Sequence, residues 1–224
     1  MAIDVHEGFE VFDCAQRSPE WYALRCGLLT GSSAQHVIAE RKRGTGELEK
    51  RSELRRRLVA ERLINTCLDD LPFTPHDVQR GIDLEPMAFV AFEARTGLLA
   101  ERVGFVRHAT LKAGASPDGV VVSPEGTWDE GLELKCPKAS THVGYLQDGV
   151  LPEEYRGQCL HGLWLTGAAR WSFCSYHPDF PAPHDLFLVR MVRDAQVIEL
   201  YDKAVREFLA SVDEAVAKLL GVAA

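Results

Sequence analysis

The sequence predicts an α/β protein with a central mixed β-sheet flanked by α-helices. Three observations lead there. Helical periodicity dominates up to residue 97 and returns at 152–165 and 195–220; short β-branched runs divided by Gly and Pro turns lie between; and after residue 150 a helix, two strands and another helix follow in turn.

The elements can be justified in order. Ser18-Pro19-Glu20, followed by Trp21, Leu24 and Arg25, reads as a capped helix start, because Ser accepts from free backbone N–H groups and Pro is tolerated at the first helical position. Leu48 to Thr66 places apolar residues at 48, 54, 58, 59, 63 and 64, a helical stripe under a charged surface. A helix is expected from about Ile82 to Thr96, with Glu85 near its first turn and Gly97 ending it. Val103–His108, Gly119–Val122 and Gly131–Cys136 are short, β-branched or alternating, and read as strands. Pro152–Leu165 reads as a helix, Trp171–Tyr176 and Leu186–Val192 as strands, and Ala195–Leu220 as an amphipathic terminal helix. With no repeat, low-complexity block or Gly/Ser/Pro-rich linker, a single domain over residues 1–224 is expected.

Composition narrows the function classes. The 224 residues carry 25 Lys+Arg against 33 Asp+Glu, a net charge of −8, which argues against a protein that simply coats DNA. At 46% hydrophobic and 26% charged the chain suits a packed globular domain and excludes disorder as the main state. Cys14, Cys26, Cys67, Cys136, Cys159 and Cys174 form no CxxC pair and no zinc-finger spacing. The first residues carry acid where a secretory signal would carry Lys or Arg, and no apolar run is long enough to span a membrane, so a cytoplasmic protein with reduced thiols and no membrane partner is expected. A Walker-type phosphate loop is absent, and His161, on a mostly apolar helix, is expected to be a satisfied core histidine.

Charge is uneven along the chain. Between Arg41 and Arg62 the basic residues Arg41, Lys42, Arg43, Lys50, Arg51, Arg55, Arg56, Arg57 and Arg62 outnumber Glu47, Glu49, Glu53 and Glu61. Arg41, Lys42 and Arg43, beside Gly44-Thr45-Gly46, are the candidates for gripping a duplex backbone, since Lys and Arg neutralise phosphates without reading sequence.

The most informative stretch is Ser116-Pro117-Asp118-Gly119, followed by Gly131-Leu132-Glu133-Leu134-Lys135. Alternate strand residues share a face, so Glu133 and Lys135 project together while Leu132 and Leu134 point to the core. A hairpin loop at Pro124-Glu125-Gly126-Thr127, pairing Ser123 with Trp128, puts Asp118 opposite Glu133. Directly opposed Cβ atoms lie ~4.5–5.5 Å apart, close enough for two carboxylates to share a hard divalent cation. Mg²⁺ favours such a site, completing its shell with water and phosphate oxygens, and Lys135 beside it suits developing negative charge. An isolated Glu-x-Lys usually marks only an amphipathic strand; here the Asp fifteen residues earlier gives it meaning.

This spacing resembles the metal-site pattern of the PD-(D/E)xK nuclease superfamily. Arg17-Ser18-Pro19-Glu20-Trp21-Tyr22-Ala23-Leu24-Arg25-Cys26-Gly27-Leu28-Leu29-Thr30-Gly31-Ser32 resembles the N-terminal signature of the phage lambda exonuclease (viral recombinase) family. So do Gly81 to Ala88 with Glu85-Pro86, Ser116-Pro117-Asp118-Gly119, Leu132-Glu133-Leu134-Lys135-Cys136-Pro137 and Tyr155-Arg156-Gly157-Gln158, in the family's order.

The resemblance implies a PD-(D/E)xK core and a Mg²⁺-dependent 5′→3′ exonuclease that digests the 5′-ended strand of duplex DNA to mononucleotides, leaving a 3′ overhang for recombination. It implies two Mg²⁺ ions, replaceable by Mn²⁺, held by Asp118, Glu133 and the Leu134 carbonyl, with Lys135 acting on the water. Glu85 is expected to position a water or second ion, Gln158 to lie near the scissile phosphate, and Arg25, Ser32 and Ser116 to bind the 5′-terminal phosphate. A toroidal homotrimer and a single-strand annealing partner are further implications. Two alternatives stay open: an endonuclease or resolvase of the same superfamily, and a non-catalytic DNA-end-binding recombination accessory protein.

Overall fold

The computed structural model describes residues 4–38, 47–68 and 76–222, without the side chains of 76–78. Strands β1 (Asp4–His6) and β2 (Phe9–Phe12) form a hairpin, and α1 (Pro19–Arg25) follows. Ser18 caps α1 as its sequence predicts, its hydroxyl accepting from the Trp21 amide at 3.2 Å. Next come β3 (Leu29–Thr30), a 3₁₀ turn at Gly31–Ser33, α2 (Gln35–Ile38), α3 (Glu49–Ile64) and α4 (His76–Thr96). Then β4 (Phe105–His108), β5 (Ala113–Ala115), β6 (Gly119–Val122) and β7 (Trp128–Lys135) lead to α5 (Ala139–Asp148), α6 (Glu153–Thr166), β8 (Arg170–Tyr176), β9 (Leu186–Val192) and α7 (Ala195–Leu220).

Two mixed sheets result. One has the order β1-β2-β4-β5-β3, antiparallel except for the parallel β3·β5 pair; the other has the order β6-β7-β8-β9, with β7·β8 parallel. The four-stranded sheet is the central one expected from sequence, with helices on both faces. On one face Phe89 and Phe92 of α4 pack on Leu132, Leu134 and Cys174. On the other, Leu163 of α6 and Tyr145 of α5 meet Trp171 and Phe173. Burying each such large apolar side chain contributes roughly 1.5–3 kcal/mol. Around the five-stranded sheet, α3 and α7 close a further core through Leu54, Leu58, Val205, Phe208 and Val212.

Close approach places α6. An added Cβ on Gly157 would meet the Gln35 backbone at 2.6 Å, and one on Gly162 would meet the Trp171 indole at 2.3 Å. Only glycine lets the helix press against both α2 and β8, and that contact carries Gln158 to the site.

Three expectations need correction. Helix α4 begins at His76 instead of Ile82, so Glu85 lies well inside it and is no first-turn carboxylate. Tertiary contact favours the longer helix: Arg80 donates to the carbonyls of Cys136 at 2.7 Å and Pro137 at 2.8 Å. At the hairpin tip, Val122 pairs with Trp128 in place of Ser123, and Ser123 closes the turn on Thr127 at 2.8 Å. A bulge between Val121 and Val122 absorbs the slip, so Val121 still faces Glu130 and the register beyond is as expected. Helix α5 has no counterpart among the predicted elements, because its Thr, Val and Gly are weak helix formers and only His142 and Tyr145 are buried.

Candidate functional site

The β6–β7 pair sets the geometry. Gly119 pairs with Leu132, and the Asp118 amide donates to the Leu132 carbonyl at 3.1 Å, which brings Asp118 opposite Glu133. One oxygen of Asp118, Oδ2, accepts from the Leu134 amide at 2.6 Å. Glu133 is only 2% exposed. Its Oε1 pairs with the Lys135 ammonium, and its Oε2 accepts from Gln158 Nε2 at 2.6 Å. Sequence alternation predicts this convergence of Glu133 and Lys135, but not the depth at which it occurs.

Depth changes the electrostatics. Burial, reinforced by the Glu133 charge, pushes the Asp118 carboxyl up to about 8, against the opposing pull of Lys135 and the Leu134 amide. Burial likewise raises Glu133, with Lys135 opposing. For Lys135, burial acts to lower the ammonium's pKa, yet the Glu133 and Asp118 charges outweigh it and hold the group above its ordinary value. Two carboxylates thus share one cation. A divalent ion between them would relieve the repulsion, and two carboxylates with a backbone carbonyl suit Mg²⁺, which keeps waters and takes phosphate oxygens. Among the described residues no three His, Cys, Asp or Glu side chains converge on one point.

A cavity of about 210 Å³ gathers Arg25, Ser32, Ser116, Asp118, Glu133, Lys135 and Gln158. Parallel pairing of β3 with β5 joins Thr30 to Gly114, so the turn carrying Ser32 and the strand end carrying Ser116 run side by side. Trp21 ties this wall together: its indole N–H donates to Ser116 Oγ at 2.7 Å, and the Arg25 guanidinium lies 4.0 Å above its ring. Gln16 Nε2 donates to the carbonyls of Pro117 at 3.2 Å and Val103 at 3.4 Å, fixing the backbone that leads into Asp118.

Glu85 stands apart from this set. It lines an adjoining cavity of about 490 Å³, which shares Gln16, Arg17 and Asp118 with the first, and its carboxylate pairs with Arg102 at 2.9 Å. Its charge still adds to the rise of Asp118 and Glu133. Leu134 offers only its backbone, since its side chain is buried against α4. Arg41, Lys42 and Arg43 lie outside the described residues.

Sequence reasoning passed over Gln16, Trp21, Arg80 and Arg102. Trp21 carried a signal, four residues before Arg25 on one helix turn. The other three act through partners distant in sequence. His161 proves to be a satisfied core histidine, bonded to the Tyr201 hydroxyl at 2.7 Å and the Gly114 carbonyl at 3.0 Å.

Comparison with known proteins adds an independent line. Residues 20–169 match the YqaJ-like viral recombinase domain. The alkaline exonuclease LHK-Exo of Laribacter hongkongensis is 29% identical, with a TM-score of 0.78, covering 90% of this chain and 96% of that one. The same values hold for LHK-Exo in complex with dAMP. A phage-related exonuclease from Haemophilus somnus 129PT, 14% identical with a TM-score of 0.67 over 86% of this chain and 96% of that one, shares the fold. No curated protein sequence matches.

Proposed function

The chain belongs to the YqaJ-like viral recombinase domain family, and from that premise we propose that it is a Mg²⁺-dependent 5′→3′ exonuclease of linear duplex DNA. The observation that carries this reading is that one cavity holds both the Asp118/Glu133/Lys135 cluster and the Arg25/Ser32/Ser116 wall. Hydrolytic groups and an anion-binding wall in one enclosure restrict cleavage to a strand end. The exonuclease names of the similar structures, one of them bound to dAMP, support the same reading.

In this proposal Arg25, Ser32 and Ser116 receive the 5′-terminal phosphate, the guanidinium fork engaging two of its oxygens. Asp118, Glu133 and the Leu134 carbonyl hold the Mg²⁺ ions, for which Mn²⁺ substitutes. Bound there, Mg²⁺ supplies Lewis acidity toward the scissile phosphate and lowers the pKa of water. Lys135 orients the attacking water and stabilises charge on the phosphate oxygens. Gln158 holds Glu133 in place and faces the scissile phosphate, and Glu85 positions a water or second ion. A P–O bond forms to water and the bond from phosphorus to the 3′ oxygen breaks. That oxygen takes a proton and leaves with the released nucleotide, and the shortened strand carries a new 5′ phosphate.

Arg41, Lys42 and Arg43 are assigned to the duplex backbone. A single domain over residues 1–224, assembled as a toroidal homotrimer in the cytoplasm and working with a single-strand annealing protein, completes the proposal. Among the described residues no helix is long and apolar enough to cross a membrane. Digestion of end-labelled linear duplex with Mg²⁺ tests the activity and its polarity together. Mononucleotide release from 5′ ends is expected. Efficient cutting of a closed circle would identify an endonuclease instead, and release of no nucleotide at all would leave a DNA-end-binding protein.

A further inference from the structure

The cavity beside the carboxylates enters the scheme above only through Glu85 and Asp118 on its wall, yet it adjoins the reacting centre. It shares Asp118, Gln16 and Arg17 with the first cavity, and it is the larger of the two. A strand whose 5′ phosphate rests against Arg25 and whose next phosphate lies at Asp118 and Glu133 must continue past Asp118. The adjoining cavity borders that same residue.

Two cations line that path. Arg17 borders both cavities, and among the described residues makes no hydrogen bond or ion pair. Its backbone sits at φ 67°, a conformation unfavourable for residues other than glycine, so the turn presents this side chain at a local conformational cost. Arg102 is half exposed and held on two sides: Nη1 donates to Glu85 at 2.9 Å, and the guanidinium lies 4.8 Å over the Phe89 ring. One of its five N–H donors is thereby engaged; the rest are available to an anion. Glu85 and Phe89 fix the plane of the guanidinium, which lowers the entropy lost when it binds phosphate.

We infer that this cavity is a second backbone subsite: it takes the stretch of the digested strand 3′ of the cleaved bond, with Arg17 and Arg102 contacting its phosphates. The inference rests on the exonuclease reading above, and it makes these two arginines determinants of grip, not of end recognition.

The test is binding without turnover. Fluorescence anisotropy with EDTA follows short duplexes ending in 5′ phosphate or 5′ hydroxyl as KCl rises from about 50 to 200 mM. Arg17→Ala and Arg102→Ala should each weaken binding and each reduce the slope of log affinity against log salt by about one, and the double variant by about two. The losses should be equal on both kinds of end, and Arg102→Lys should recover most of the slope. An unchanged slope in the folded single variants overturns the inference. So does a loss confined to 5′-phosphorylated ends, which would move the arginines to the terminal-phosphate wall. Arg17, having no partner to lose among the described residues, keeps the test decisive if Arg102→Ala fails to fold. Failure of the exonuclease reading looks different: wild-type protein with Mg²⁺ releases no nucleotide, while the slopes in EDTA still fall.

Discussion

Strand β7 buries a glutamate near each end, and the two are treated in opposite ways. Glu130 is fully buried and faces two arginines, Arg190 at 2.9 Å and Arg170 at 3.3 Å, with the Ser172 hydroxyl donating as well. Three residues on, Glu133 is nearly as buried, but its cluster sets Asp118 and Glu133 against the single cation of Lys135. One end of the strand is compensated by its own fold. The other is left with an excess of negative charge that favours protons or an added cation, and it opens onto a cavity. Burying an unbalanced charge is costly, and such sites are where function concentrates.

The largest effect should come from Asp118→Asn. Nucleotide release should fall roughly 100- to 1,000-fold, as when a charge-stabilising group is removed. The melting temperature without metal should hold or rise, because a repulsion is relieved, and the stabilisation given by Mg²⁺ should vanish. A large drop in metal-free melting would break the comparison by showing that Asp118 is structural. Glu130→Gln is the mirror experiment: it should cost about 3 kcal/mol in urea unfolding by taking the buried carboxylate from Arg190 and weakening its hold on Arg170, which keeps Asp129, with digestion per folded molecule unchanged.

Arg25→Ala sharpens the comparison within the site. Losing a charge-assisted contact worth about 1.5–3 kcal/mol should slow digestion of 5′-phosphorylated ends roughly 10- to 100-fold. Ends with 5′ hydroxyl should be affected much less, and equal losses on both would remove Arg25 from the phosphate wall. A smaller effect separates the site from a neutral buried group. Burial holds His161 down to about 4, below its ordinary 6.5. Between those values the unfolded chain binds the extra proton, so stability is full above about 6.5 and is lost as pH falls toward 4. By pH 5 the loss reaches about 2 kcal/mol, because a tenfold rise in proton activity favours the unfolded chain by about 1.4 kcal/mol in that window. His161→Gln should flatten melting temperature against pH over that range, and an unchanged acid slope would assign it to other groups.

Much of this is legible in the residues. Alternation along Gly131-Leu132-Glu133-Leu134-Lys135 fixes which side chains share a face, and the interval back to Asp118 sets the partner, because strand period and loop length are local properties. That reading survives an error at the hairpin tip only because the bulge cancels it. Helix α4 is legible where Phe89 and Phe92 repeat and illegible before Ile82, where the bonds from Arg80 to Cys136 and Pro137 decide. Strands β3 and β5, of two and three residues, are too short to show a period.

By itself the sequence determined the mixed α/β class, the faces of the long helices and strands, and the pairing of Asp118 with Glu133. Each of these follows from local periodicity. Only the tertiary structure decided that the carboxylates are buried deeply enough to push Asp118 up to about 8, that Ser32 and Ser116 line one cavity beside a parallel strand pair, and that Glu85 faces Arg102. Those outcomes depend on groups far apart in the chain, and on a dielectric that exists only once the core has closed around them.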